Sequence, residues 1–308
     1  MEQGVQGLTG WRRNGRRTNP DSDGGGEGGH RGGWALAVPA VTLVTVFLVL
    51  PLMLMFRISM NRFVPGEFMV KALTLENYAN VIAEPYYRET LVTTVSVAGI
   101  TMLICLAAGL PTAYFLARIG AQRIKGLLII LVILPLLTGN AVRAAGWMVV
   151  LGDRGVVNSI LIALGIRTEP LQIMYTPQAV IIGLTSVLLP FMIITLQSVM
   201  EGIDRSVEEA SLSLGAPPLR TFFRVVVPLA MPGIFAGSLL CFILALNAYA
   251  TPFLLGGPKF RMMAPVLYQQ ITVVNNWPVG ATLAFLLMAV SLIIIFVSAS
   301  ILRSKQRA

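Results

Sequence analysis

"VTLVTVFLVLPLMLMF", Val41 to Phe56, contains no charged residue and no alternation of polar with apolar positions. A transmembrane strand alternates over short segments, whereas a lipid-embedded helix is apolar nearly all round. The stretch therefore reads as a helix inside a bilayer, and "LIIIFVSASIL", Leu292 to Leu302, reads the same way. Uncharged stretches run over Trp34–Phe56, Thr90–Ala117, Gly126–Val142, Pro170–Met200, Val225–Pro258 and Met262–Leu302. A spanning helix needs roughly 20 residues. Six spans follow, placed at Trp34–Met60, Thr90–Arg118, Lys125–Leu151, Pro177–Met200, Met231–Leu254 and Gly280–Arg303. The fold class is all-α, a polytopic membrane protein. Composition agrees: 12% of residues are charged and 56% hydrophobic, against roughly 25% charged in a soluble domain.

The formal net charge of +9 invites a nucleic-acid reading, but the distribution of the charges opposes it. With the N-terminus in the cytoplasm, Arg12, Arg13, Arg16, Arg17, Arg31, Arg118, Arg123, Lys125, Arg205, Arg220, Arg224, Arg303, Lys305 and Arg307 all fall inside. This lysine and arginine bias favours both termini in the cytoplasm. No nucleic-acid partner is needed. The leader, residues 1–33, carries "DSDGGGEGGHRGG", cannot bury a core and reads as disordered, its arginines serving topology or touching anionic membrane lipid. The first apolar run is too long for a signal peptide and "MFRISMNRF" offers no small-residue cleavage site, so it reads as an anchor. Residues 34–303 form the membrane domain and 304–308 a short cytoplasmic tail.

Several chemistries lack their residues. Cys105 and Cys241 lie inside spans without a C-x-x-C, and read as packed thiols. His30 is the only histidine and sits in the leader, leaving no histidine triad or zinc cluster. There is no G-x-x-x-x-G-K-[ST], so no Walker motif for ATP. No catalytic or metal-ligating residue is expected. No span holds Asp or Glu, the groups ion-coupled carriers commonly place at the midplane. Their absence counts against a self-powered carrier without excluding one.

Between the fourth and fifth spans lies "EEASLSLGAPPLRTFFRVVVPLAMPGI", Glu208 to Ile234. Val207, Ala210, Ser211 and Leu214 recur at helical spacing, as do Leu219, Phe222, Phe223 and Val226, giving two short amphipathic helices. Asp204 or Ser206 can cap the first; with Ser206 as cap, Glu209 completes an S-x-x-E box. Gly215 suits the left-handed position that ends a helix, and Pro217 and Pro218 start the next. Pro228 and Pro232 break the chain before it enters the membrane. Helices this short are marginal alone. Periodicity leaves two readings open, a loop resting on lipid headgroups or a docking surface for a protein.

The pattern Glu209-Ala210-Ser211, then Gly215, then Pro228 and Pro232-Gly233-Ile234, resembles the E-A-A loop of binding-protein-dependent ABC importer permeases. Ser211 departs from the usual alanine but is small enough to keep close packing. "LTLENYANV", "LPLLTGNAVRAAGWMVVLGDRGVVNSIL", "IMYTPQAVIIGLTSVLLPFM" and "NWPVGATLAFLLM" are similar to the spermidine/putrescine permease branch, the first of its two permeases, over Trp34–Arg303. The resemblance implies a type I ABC importer permease fold. It implies a bacterial inner-membrane location and a coupling loop at 201–230 that inserts into an ATPase groove, with Glu208, Glu209, Ala210, Ser211, Leu214, Gly215 and Ala216 at the contact. Glu209 could instead only cap its helix. The implied partners are two copies of an ABC ATPase, a second homologous permease and an external substrate-binding protein. ATP and Mg belong to the ATPase, and this chain binds no cofactor.

For the translocation path the expected residues are Asn140, Arg143, Trp147, Asn247 and Tyr249. Arg143 follows a long apolar run and costs several kcal/mol if it faces lipid. It could snorkel outward toward Asp153 or line the path. Asn140 and Trp147, three before and four after it, could share its face. Asn247 and Tyr249 interrupt the fifth span, where interhelical hydrogen bonding is the plainer role. The resemblance points to a polyamine cargo, while relatives carrying amino-acid derivatives or opines, and more distantly sulfate or iron, share these features. A self-powered secondary carrier and a membrane structural protein are the readings from other classes.

Overall fold

The computed structural model describes residues 28–64, 66 and 69–306, with side chains for residues 38, 39, 41–64, 66 and 69–300. Most of the leader, Arg12, Arg13, Arg16 and Arg17 included, lies outside the described residues, as does Arg307.

Helix α1 spans Gly28–Ser59 and contains Pro39 and Pro51. The chain divides into two units at its Leu54. The first is the N-terminal part of α1, whose Val41, Phe47, Leu48 and Met53 are exposed, as lipid-facing side chains are. The second begins at Met55 and holds everything after it.

In that unit the last turn of α1 leads to α2 (Glu76–Ala83). Asn77 of "LTLENYANV" is buried and its Nδ2 donates to the carbonyls of Ser59 and Asn61, both at 2.7 Å. That amide satisfies the open C-terminal carbonyls a helix leaves behind. Helix α3 (Pro85–Arg118) follows after a single extended residue, Glu84 at ψ 119, and starts on Pro85, whose fixed φ suits a first helical position.

The third span differs from the single helix expected over Lys125–Leu151. Helix α4 (Gln122–Ile133) passes into a 3-10 turn at Leu134–Leu137, and α5 (Asn140–Leu151) starts afresh. Pro135 has no N–H for the helix ladder and its ring crowds the preceding turn. Thr138 and Gly139 are then extended, at ψ 137 and 144. Beyond α5 the chain turns at Gly152–Gly155 into α6 (Val156–Ala163), and Asn140–Ala163 together are long and apolar enough to cross a membrane. Asn158 of α6 pins this corner, donating to Gly152 and Leu171 carbonyls and accepting from the Leu171 N–H.

Helix α7 (Pro177–Glu201) is capped by Thr176, whose hydroxyl oxygen accepts from the Ala179 N–H. After it come α8 (Arg205–Ser213), α9 (Pro218–Thr221), a π turn at Phe222–Val226 and α10 (Val227–Leu229). The π turn accommodates Pro228: the Val227 N–H reaches back five residues to Phe222. A 73° bend separates Pro218–Leu229 from α11 (Met231–Leu246). The fifth span, expected to continue to Leu254, stops at Asn247, and a π turn at Pro252–Gly256 follows. Helices α12 (Met263–Thr272) and α13 (Trp277–Gln306) close the chain. Five helical stretches meet the requirements for a span, and the bent pair makes up to six. Among the described residues the only β feature is an isolated bridge between Arg62 and Val70.

The core is the packing of α3 on α7 and α11, flanked by α12 and α13. Ala98, Cys105 and Ala113 of α3 meet Leu188, Met192 and Leu196 of α7 and Cys241 and Ala245 of α11. Both cysteines are free and fully buried. Gly233 and Gly237 set the approach of α11 to α7. A Cβ on Gly233 would lie 2.5 Å from Val199 Cγ2, and one on Gly237 3.1 Å from Met192 Sδ. Small residues four apart let membrane helices touch backbone to backbone.

Candidate coupling loop and translocation cleft

The loop after α7 is two short helices joined at Gly215. Asp204 caps α8, its Oδ1 accepting from the Ser206 N–H at 2.9 Å. That bond holds the Asp204 carboxyl below the usual carboxylate range. The cap is therefore present above the ordinary carboxylate pKa and is lost as pH falls through the lowered one. Asp204, of the two caps the sequence allowed, is the one used. Ser206 sits inside the first turn, and Glu209 is exposed with no side-chain partner among the described residues. The S-x-x-E box does not form.

Gly215 has φ +84. Its N–H donates to Leu212 O and the Ala216 N–H donates to Ser211 O, the paired bonds of a Schellman ending. A Cβ at Gly215 would meet nothing within 4 Å, so only the backbone conformation demands glycine there. Across the turn the Ser211 and Thr221 hydroxyls share a hydrogen bond of 2.9 Å.

The orientation of α8 is the reverse of an amphipathic helix resting on its own protein. Val207, Leu212, Leu214, Leu219 and Phe223 are all exposed, Leu214 at 89%. Glu208 is instead buried. Its Oε1 accepts from Arg118 Nε at 2.8 Å and also pairs with Arg118 Nη2, while Tyr114 O–H donates to Oε2 at 2.9 Å. Arg118 additionally donates to Ile203 O, and Arg205 donates to the carbonyls of Ala117 and Arg118 that end α3. The Tyr114 ring meets Phe222 edge-on at 4.9 Å. Nearby, Lys125 Nζ lies 2.7 Å from Glu201 Oε1, joining α4 to the end of α7. Arg220 and Arg224 are exposed and make no ion pair among the described residues.

Inside the bundle a cleft of about 530 Å³ lies between α5, α7 and the end of α11. Asn140, Arg143, Asn247 and Tyr249 line it together, with Leu184, Phe191 and Ile243 among its apolar walls. Trp147 is elsewhere: its Nε1 donates to Ser186 Oγ at 2.7 Å and its ring joins the cluster around Leu184 and Leu255. Arg143 does not pair with Asp153. Its Nη2 donates to the carbonyls of Pro135 and Thr138, the latter at 3.0 Å, closing the break between α4 and α5. Its Nε and Nη1 are buried without a partner. Asn247 Nδ2 donates to Ile243 O one turn back, at the helix end. Tyr249 stacks on Phe253 at 5.3 Å and lies 4.7 Å from Tyr268. The Arg118–Glu208 pair and the Tyr268 contact were not anticipated. Residues 90 positions apart leave no local pattern, and Glu208, expected at the ATPase contact, is instead buried against Arg118 and Tyr114 of its own chain.

The family model for the inner membrane component of binding-protein-dependent transport systems matches residues 105–307. The spermidine/putrescine transport system permease protein PotB of Haemophilus influenzae is 37% identical over 251 residues, 82% of this chain and 87% of that protein. PotB of Escherichia coli is 36% identical over 255 residues, 83% and 92% of the two chains. The inner membrane ABC transporter permease protein YdcU of Escherichia coli is 32% identical over 239 residues, 73% and 74% of the two. Among solved structures, a chain of a bacterial ABC transporter involved in the import of alginate has a TM-score of 0.74 at 14% identity, covering 88% of this chain and 94% of that one. That likeness shows the shared fold. With spanning helices, a two-helix loop ahead of the fifth span and a family match over residues 105–307, the chain belongs to the inner membrane components of binding-protein-dependent transport systems, the multi-pass permeases of ABC importers.

Proposed function

We propose that this permease, paired with a second homologous permease, forms the path by which a polyamine enters the cell, driven by two copies of an ABC ATPase docked on residues 201–230 and supplied by an external binding protein. ATP and Mg bind in the ATPase. Both termini and the loop lie on the cytoplasmic side, where the basic residues Arg118, Arg123, Lys125, Arg205, Arg220 and Arg224 gather. The observation that carries the motor assignment is the outward-facing apolar set Val207, Leu212, Leu214, Leu219 and Phe223 around the Gly215 turn. Exposed apolar side chains set among charges mark a protein contact, and exposed Glu209 adds an unspent carboxylate beside them. Glu208 supports this contact from beneath, and Ala210, Ser211 and Ala216 keep it thin.

Identity to the spermidine/putrescine permeases supports the cargo. The cleft offers a polyamine amides, a phenol and aromatic faces, but its lining includes Arg143 and no carboxylate. Such a wall passes a cation without holding it, which leaves selection to the binding protein. A second reading, a cargo bearing a carboxylate as amino-acid derivatives and opines do, is favoured by the two unpartnered nitrogens of Arg143. Uptake of radiolabelled spermidine by a host lacking its own polyamine importers, expressing this chain with its partner subunits, tests both. Saturable, vanadate-sensitive spermidine uptake that putrescine competes and amino acids do not supports the polyamine reading. Competition by carboxylated amines alone, with no spermidine uptake, contradicts it and favours the second.

A further inference from the structure

We propose that Glu208, Arg118 and Tyr114 form the rigid joint through which movement of the loop is delivered to α3 and so to the cleft. This rests on the reading of residues 201–230 as the coupling loop. By its backbone alone α8 hangs between Gly202–Asp204 and Gly215–Pro217, two short non-helical links that would bend before they transmitted force. The joint removes that freedom. Both carboxylate oxygens of Glu208 are engaged, one by Arg118 and one by Tyr114. The ion pair is shielded, with side-chain exposures of 15% for Arg118 and 10% for Glu208, so little water competes for it. Tyr114 and Arg118 are four residues apart, one turn of a single face of α3. That turn grips both arms of the loop, α8 through Glu208 and the following helix through Phe222. The other end of the linkage is the core itself, where α3 lies against α7 and α11, whose residues wall the cleft. Arg118 and Tyr114 are positioning residues: they need touch neither cargo nor ATPase.

The joint predicts uncoupling without loss of assembly. Ala250 lines the cleft, and both native thiols are fully buried, so Ala250→Cys gives a single accessible reporter. The assembled importer in nanodiscs is labelled with a membrane-impermeant maleimide, with and without ATP and vanadate. In the parent complex the labelling rate changes on vanadate trapping. In Arg118→Leu and Glu208→Gln complexes that retain the ATPase, the change shrinks by about fivefold or more, the scale of a modest coupling energy. Arg118→Lys, which keeps the charge, restores part of it. A role confined to stability predicts fewer complexes with the full change in each, and that result overturns the proposal. If Arg118→Leu does not assemble, Tyr114→Phe, which keeps the ring on Phe222, carries the comparison with the same two outcomes. No ATPase on the parent complex, or no change on trapping it, overturns the coupling reading itself and the joint with it.

Discussion

Gly215 and Arg143 show how single residues set local geometry for different physical reasons. Gly215 holds φ +84 in open space. An L-residue in the left-handed region costs roughly 1–2 kcal/mol, with asparagine and aspartate the mildest. Gly215→Asn is therefore expected to insert and fold normally and to retain more uptake than Gly215→Val, measured by transport at matched membrane abundance; equal uptake by the two would contradict the conformational role. Arg143 acts through its guanidinium, which covers the Pro135 and Thr138 carbonyls at the break in the third span. Pro135 is half-buried and Thr138 exposed, so losing the donor costs at most the about 1–3 kcal/mol of a buried acceptor. Arg143→Leu should lower the thermal unfolding midpoint in detergent, and an unchanged midpoint would show that those carbonyls find other partners. That Arg143 would be costly in lipid was legible from its apolar surroundings. Its use as a clamp was not, because the carbonyls it serves exist only once Pro135 has broken the helix.

At the scale of elements, uninterrupted apolar runs located α1, α3, α7 and α13 well, since their length alone satisfies the bilayer. The third and fifth spans read less well. Pro135, Thr138 and Gly139 carried the signal for the break, but an apolar run on both sides masked it. The fifth span ends at Asn247, where Asn247 and Tyr249 had marked an interruption without fixing its place. The loop shows the same limit: helical spacing in α8 gave a face with Val207 and Leu214, yet spacing cannot say whether that face meets its own protein or another. The pairing of Glu208 with Arg118 turns that face away from the chain's own helices, with Val207 and Leu214 left exposed. The G-x-x-x-G of Gly233 and Gly237 was also present in the sequence as a contact signal. Its consequence is specific: Val199 is β-branched and cannot swing aside from a new Cβ at Gly233. Gly233→Ala is expected to destabilise the α7–α11 contact by about 1–3 kcal/mol, as overpacking does. Gly126→Ala, inside α4 with nothing within 4 Å, is the control for helix propensity in the same unfolding assay and is expected to gain up to about 1 kcal/mol. Equal stability of the two variants would refute the close approach.

For the whole molecule, the structure joins a cleft lined by Asn140, Arg143, Asn247 and Tyr249 to a loop whose apolar side chains face outward. In the proposed reading the cleft is the path, and the loop is where an energy source attaches. The central claim is that this place is an ATPase dock. It is tested most directly by purifying the tagged chain from native membranes in mild detergent, as wild type, Gly215→Asp and Leu219→Glu, and assaying ATP hydrolysis in each eluate. Leu219→Glu changes only the exposed surface of the loop, and Gly215→Asp adds a charge there at the mild backbone cost aspartate bears in the left-handed region, so insertion and the Glu208–Arg118 pair should survive. The account predicts that an ATPase accompanies the wild type and is lost, or reduced at least about tenfold, with each variant, as about 1.4 kcal/mol or more of lost contact requires. An equal amount of ATPase activity with all three chains, or none with a well-folded wild type even after crosslinking, would contradict it.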